Sequence, residues 1–113
     1  MSRYRLVVRC GAKVERERFD SLDAALAELE QRARNLSENA DATIVNALTR
    51  KFEPIQQVVG RVELSGPRGL RAGVDVRGDG SVESYTGRVR RKLVEQRDGE
   101  SPYDALRRQL LAP

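Results

Sequence analysis

The chain has 113 residues, 34% of them charged and 39% hydrophobic, with a formal net charge of +4 and no histidine. That length suits one domain spanning residues 1–113, and apolar residues recurring at regular periods set it apart from disordered segments. The composition excludes histidine-based triads and the commonest metal ligand, and the single cysteine, Cys10, can neither staple the fold nor cluster on a metal; a non-catalytic protein without metal or cofactor is expected.

The longest charge-free run, Ala42 to Thr49, has eight residues, against the roughly 20 of a membrane span. The amino end, "MSRYRLVVRCGAK", lacks the apolar core of a secretory signal, so a cytoplasmic location without membrane attachment is the expectation.

"RYRLVVRC", residues 3–10, alternates Tyr4, Leu6, Val8 and Cys10 with Arg3, Arg5 and Arg9, the pattern of a half-buried strand. "KVERERF", 13–19, alternates again and should pair back on it as a hairpin across 3–19. Gly11-Ala12, with glycine first, suits a type II′ turn. From Ser21 the period changes: Leu22, Ala25, Leu26, Leu29, Ala33 and Leu36 form the apolar stripe of a helix over 21–38, capped by Asp20 or Ser21. "ATIVNALTRKFEP", 42–54, fits a helical template, yet Ile44-Val45 and the run into a proline favour a strand. Strands follow at 58–64, 70–77 and 81–93, with "SGPRG" turning the chain at 65–69. "SPYDALRRQLLA" closes the chain as a helix over 102–111, with Ser101 as N-cap and Pro102 in the first turn.

"VRGDGS", 76–81, admits three readings. Arg77-Gly78-Asp79 spells an integrin-recognition tripeptide, which needs an extracellular loop and an export signal that the sequence does not show. A calcium loop needs several acidic oxygens at alternate positions, and only Asp75, Asp79 and Glu83 are near, two of them in strands. The third reading, Asp79-Gly80 at the centre of a type I′ hairpin, sets Val76 opposite Glu83, Val74 opposite Tyr85 and Ala72 opposite Gly87. It gathers most apolar residues on one face and is the reading preferred.

Eighteen of the 21 basic residues are arginine, whose planar donor fork suits phosphate and carboxylate. The charge is uneven: residues 1–20 sum to +3, 21–49 to −3 and 50–98 to +4, as in a basic sheet backed by an acidic helix. With the registers above, Arg3, Arg5, Arg9, Arg16 and Arg18 of the first hairpin share one face. Arg71, Arg77, Arg88 and Arg90 share the corresponding face of the second. Against that stands a charge argument: the first register puts Arg5 opposite Arg18, and the second puts Arg71 opposite Arg88, which is destabilising. Slipping the first hairpin by one residue matches Arg5 with Glu17 and gives an ordinary charge-striped face.

"YRLVVRCGAKVERERFDSLDAALAELE" resembles the strand, strand, "F-x-S/T-x-x-E/D-A" entry into a helix of the small arm-type DNA-binding domains of tyrosine recombinases. The resemblance covers about a quarter of the chain, those domains have three strands before the helix where this sequence shows two, and no functional residue is carried over.

The expected fold is α+β: a mainly antiparallel sheet of five or six strands, with one long amphipathic helix and a short C-terminal helix packed on one face. The expected function is a small binding module that meets nucleic acid, or another anionic partner such as an acidic protein, through its arginine-rich sheet face. The alternative is a protein-interaction or dimer-forming domain that pairs through a sheet edge. The placement of "RVRRKL", 88–93, separates the two, because an arginine-rich edge opposes pairing.

Overall fold

The alternating segments and the amphipathic ones sort into a sheet and two helices in the computed structural model, which describes residues 3–40, 58–87 and 90–111. Strands β1 (Tyr4–Cys10) and β2 (Lys13–Phe19) precede helix α1 (Leu22–Glu38). Then come β3 (Val58–Gly66), a single 3-10 turn at Pro67–Gly69, β4 (Leu70–Arg77), β5 (Val82–Thr86), β6 (Lys92–Leu93) and helix α2 (Pro102–Leu111). The strands form one antiparallel sheet in the order β2-β1-β3-β4-β5-β6. The fold is α+β, as its periodicities indicate. The strand expected at 42–54 lies outside the described residues.

Gly11 takes φ +61° and Ala12 does not turn positive, so the first hairpin reverses through the glycine-first turn that its sequence suits. Its register follows, with Arg5 across from Arg18 and Leu6 across from Glu17. The alternative slip that would have set Arg5 against Glu17 is not adopted. The opening strands also depart from the recombinase arm-type order, since the strand that flanks β1 on its other side, β3, follows the helix instead of preceding it.

Both helices start on side-chain caps. Ser21 Oγ accepts from the Ala24 N–H at 3.1 Å, and Ser101 and Asp104 cap α2 reciprocally, at 3.0 and 3.1 Å. Helix α1 lays Ala25, Leu26, Leu29 and Ala33 on Leu6, Val62, Leu64, Ala72, Val74 and Val76 of the sheet, and α2 adds Tyr103 and Leu106 to the same core. Each fully buried Leu or Val contributes about 1.5–3 kcal/mol. The helices are joined through Glu30, which accepts from Arg107 at 2.6 Å and from Arg34 at 2.8 Å. Burial opposes ionisation of Glu30, but those guanidinium groups outweigh it and hold the carboxyl below the usual range.

The second hairpin corrects the sequence reading. Gly73 pairs with Tyr85, Val74 with Ser84 and Val76 with Val82, one residue away from the type I′ register. The loop holds three residues, Gly78-Asp79-Gly80: the Gly80 N–H donates to Arg77 O and the Arg77 N–H to Ser81 O, each at 2.9 Å, with Gly80 at φ +87°. This is a type I turn followed by a left-handed glycine. Asp79 Oδ1 accepts from the Ser81 N–H and hydroxyl, which lowers its pKa, and Ser37 of α1 donates to Gly80 O, pinning the loop to the helix. The slip moves Glu83 and Tyr85 to the open side and turns Ser84 inward.

Two further assignments differ. Ser65 and Gly66 belong to β3, which leaves Pro67–Gly69 as the turn. The single strand expected at 81–93 is two: β5 ends at Thr86, Gly87 takes φ +98°, and the chain returns to pair Lys92 with Thr86. A Cβ on Gly87 would meet Arg90 O at 2.6 Å, so this reversal needs the glycine. Arg90 therefore lies in the reversal and not in the sheet.

The observed register makes opposite predictions for neighbouring positions. Ser84 Oγ is buried without a hydrogen-bond partner, so Ser84→Ala should raise the unfolding free energy by roughly 1 kcal/mol. A Cβ on Gly73 would meet Val62 O at 2.5 Å and Tyr85 Oη at 2.6 Å, so Gly73→Ala should lower it by about 1–3 kcal/mol. Urea denaturation checks both; a destabilised Ser84→Ala would return the register to the one with Ser84 facing outward.

Candidate anion-binding surface

With both described helices on one side, no described element covers the other side of the sheet, here called its open side, and pairing determines which side chains stand on it. Across β2, β1, β3 and β4 one row runs Arg18, Arg5, Ser65, Arg71, and the next runs Arg16, Val7, Glu63, Gly73. A third runs Val14, Arg9, Arg61, Asp75. Arg77, Glu83 and Tyr85 complete the face toward β5.

The centre of this face is neutralised. Arg9 Nε donates to Glu63 at 2.9 Å, Arg61 Nε to Asp75 at 2.6 Å, and Arg77 Nε to Glu83 at 2.6 Å. The Asp75 hydrogen bond raises the Arg61 pKa further. Beside them the Tyr85 ring, only 4% exposed, lies against Gly73 beneath the guanidinium of Arg91, 4.7 Å from the ring centroid. Burial pushes the Tyr85 phenol up to about 12.

The first row is different. Arg3, Arg5, Arg18 and Arg71, with Tyr4, Ser65 and Gly66, line a shallow cleft of about 230 Å³, and none of these described residues is a carboxylate. Arg5 stands directly across from Arg18, and the carboxylates that β2 could offer are engaged elsewhere. The pleat sends Glu15 and Glu17 to the helix side, where Arg32 of α1 meets both, Glu17 at 3.4 Å. A hydrogen bond from Lys13 and the charge of Arg32 lower the Glu15 pKa. The charge argument from the sequence failed for this reason: it balanced the hairpin within itself, whereas the helix supplies the partner.

Of the nine arginines expected on one face, the structure gathers Arg3, Arg5, Arg18 and Arg71 into the cleft. Arg16 is exposed on the same face, Arg9 and Arg77 are on it but ion-paired, and Arg90 is off it. Arg88 lies outside the described residues. Arg61 and Ser65 belong to this face too, and their alternation with Val62 and Leu64 was the available signal. Among the described residues no group of three acidic or cysteine side chains could hold a metal ion, and no helix is long and apolar enough to cross a membrane.

Two outcomes follow. Arg18→Glu puts opposite charges across the pair with Arg5 and should stabilise the fold by roughly 0.2–1 kcal/mol at low salt, less as salt is added; an unchanged or lowered melting temperature would mean that the two guanidinium groups do not repel. For Tyr85, the folded pKa of about 12 lies above the unfolded value near 10. Its neutral form therefore contributes stability that is complete below the unfolded value and lost as pH rises through the folded one. Ultraviolet titration should show one tyrosine ionising last, together with alkaline unfolding, and Tyr85→Phe should remove that late step.

No family model and no curated protein matches the sequence, and no solved structure matches the fold; what this surface does follows from its own charge and shape.

Proposed function

We propose that the protein is a non-catalytic binding module that holds the phosphate backbone of nucleic acid against the arginine row at the end of its open sheet face. The observation that carries this reading is the Arg5–Arg18 pair, like charges placed directly opposite in a cleft to which no described residue brings a carboxylate. Such a pair costs stability in the free protein and is relieved when an anion enters. Arginine forks present several donors to each phosphate. The row crosses three inter-strand steps, about 14 Å in all, which is longer than one phosphate and suits a chain of them.

The contact is with backbone and not with bases. Stacking on unpaired bases needs exposed aromatic rings among the cations; of the described aromatics here, Tyr85 is covered and Tyr4, at the cleft, is half-buried against the core. Backbone contact positions a nucleic acid without reading its sequence. The sheet edges favour the same reading over edge-to-edge pairing: β2 is charged along its length, and β6 has two residues and follows Arg90 and Arg91.

Fluorescence polarisation with labelled duplex DNA, single-stranded DNA and RNA tests this. Duplexes of unrelated sequence should bind alike. Each neutralised phosphate contributes about −0.9 to the slope of log affinity against log salt, so four cleft arginines give roughly −3 to −4, and the Arg5→Ala, Arg18→Ala double variant should lose about 2 of that. No binding at low salt, or binding untouched in the double variant, would sink the proposal.

A further inference from the structure

The turn that joins β3 to β4 contains an arginine in a conformation that arginine disfavours. Arg68 has φ 61° and ψ 32°, and Gly69 follows at φ +73°. The Leu70 N–H closes the turn on Pro67 O. Successive left-handed residues make a type I′ turn, whose first central position selects asparagine, aspartate or glycine because a longer side chain on a left-handed backbone crowds the following carbonyl. Arg68 is the one non-glycine residue with positive φ among those described.

Among the described residues nothing compensates for it. The Arg68 side chain is exposed and makes no hydrogen bond or ion pair with the described residues. A glycine would fold the turn more easily, and an asparagine would do so while keeping a polar tip. What arginine adds at this position is a positive charge. The position is also specific: Arg68 lies two residues after Gly66 and three before Arg71, both of which line the arginine cleft.

We infer that Arg68 is a further phosphate-contacting residue, held at the mouth of the cleft by the turn, so that the bound strand runs on from the Arg18–Arg5–Arg71 row past the tip of β3 and β4. The inference deepens the nucleic-acid reading above and rests on it. The ligand it implies is an extended polyanion, since an anion confined to the cleft gains little from a cation on the turn. Backbone strain retained where the fold draws no benefit from it is a mark of a functional position.

The test measures stability and binding on the same variants. Arg68→Gly relieves the left-handed strain and should raise the melting temperature, while its affinity for a labelled duplex falls several-fold at low salt and its salt slope becomes shallower by about 0.9, the share of one phosphate contact. Arg97→Gln, at an exposed arginine beside α2, removes the same unit of charge and should leave the slope unchanged. An Arg68→Gly protein that melts higher yet binds with the wild-type affinity and slope would overturn the inference, as would an Arg97→Gln protein that loses as much. Loss of binding in the Arg5→Ala, Arg18→Ala variant alongside intact binding in Arg68→Gly would overturn this inference and leave the nucleic-acid reading standing. A wild-type protein that binds no nucleic acid would overturn both.

Discussion

The basic end of the open face depends on the two-residue turn at Gly11-Ala12. Because side chains alternate across a pleated strand, one residue of slip would exchange the two faces of β2. The turn allows no slip, and it sorts "KVERERF" by charge: Glu15 and Glu17 point toward α1, while Arg16 and Arg18 point away. Arg32 completes the sorting, since it draws both glutamates to the helix side and leaves Arg5 without a carboxylate across the hairpin. A basic row at the sheet's end is thus a consequence of where the acidic residues are used.

The energetics of the two halves of this face differ in kind. Around Arg61 and Asp75 the cations Arg9, Arg61 and Arg77 each have a carboxylate beside them, and the Tyr85 ring with Arg91 over it closes the edge. Such surface pairs contribute modestly, typically 0–1 kcal/mol each, and fix side-chain positions more than they stabilise. At the cleft the balance is reversed, with cations set close and no carboxylate partner among the described residues. A fold that sorts its acids onto the opposite side of a strand and also tolerates a left-handed arginine at the adjoining turn carries two local costs in one place. On the proposed reading, a bound polyanion would relieve the repulsion among the cleft arginines and would offset the strain at Arg68 with a new contact, the strain itself remaining.

Much of this was legible in the amino-acid sequence, and the failures have identifiable causes. The alternation of Arg3, Arg5, Arg16 and Arg18 marked a basic face, but the register of the first hairpin stayed open between the Gly11-Ala12 turn and an Arg5–Glu17 pairing, because Arg32, which takes both glutamates, lies far along the chain. Ser21 and Ser101 mark the helix starts locally. The second hairpin was not legible to the residue, because Gly78-Asp79-Gly80 supports either a two-residue or a three-residue loop with Gly80 left-handed in both. The choice is made by long-range contacts, the Ser37 hydroxyl on Gly80 O and the packing of Tyr85 over Gly73. The break at Gly87 was visible as a glycine inside an apparent strand, and reading through it misplaced Arg90. Arg68 left no trace in the alternation pattern, since its significance lies in a backbone angle that sequence does not display.

Contact between the arginine row and phosphate is observed most directly by nuclear magnetic resonance of the arginine Nε–H groups. Titration with a short duplex at low salt should shift and sharpen the signals of Arg5, Arg18 and Arg71 together while those of Arg61 and Arg32, engaged with Asp75 and with Glu15 and Glu17, stay in place. Shifts confined to the helix side of the sheet, or an unchanged spectrum at saturating duplex, would contradict the account.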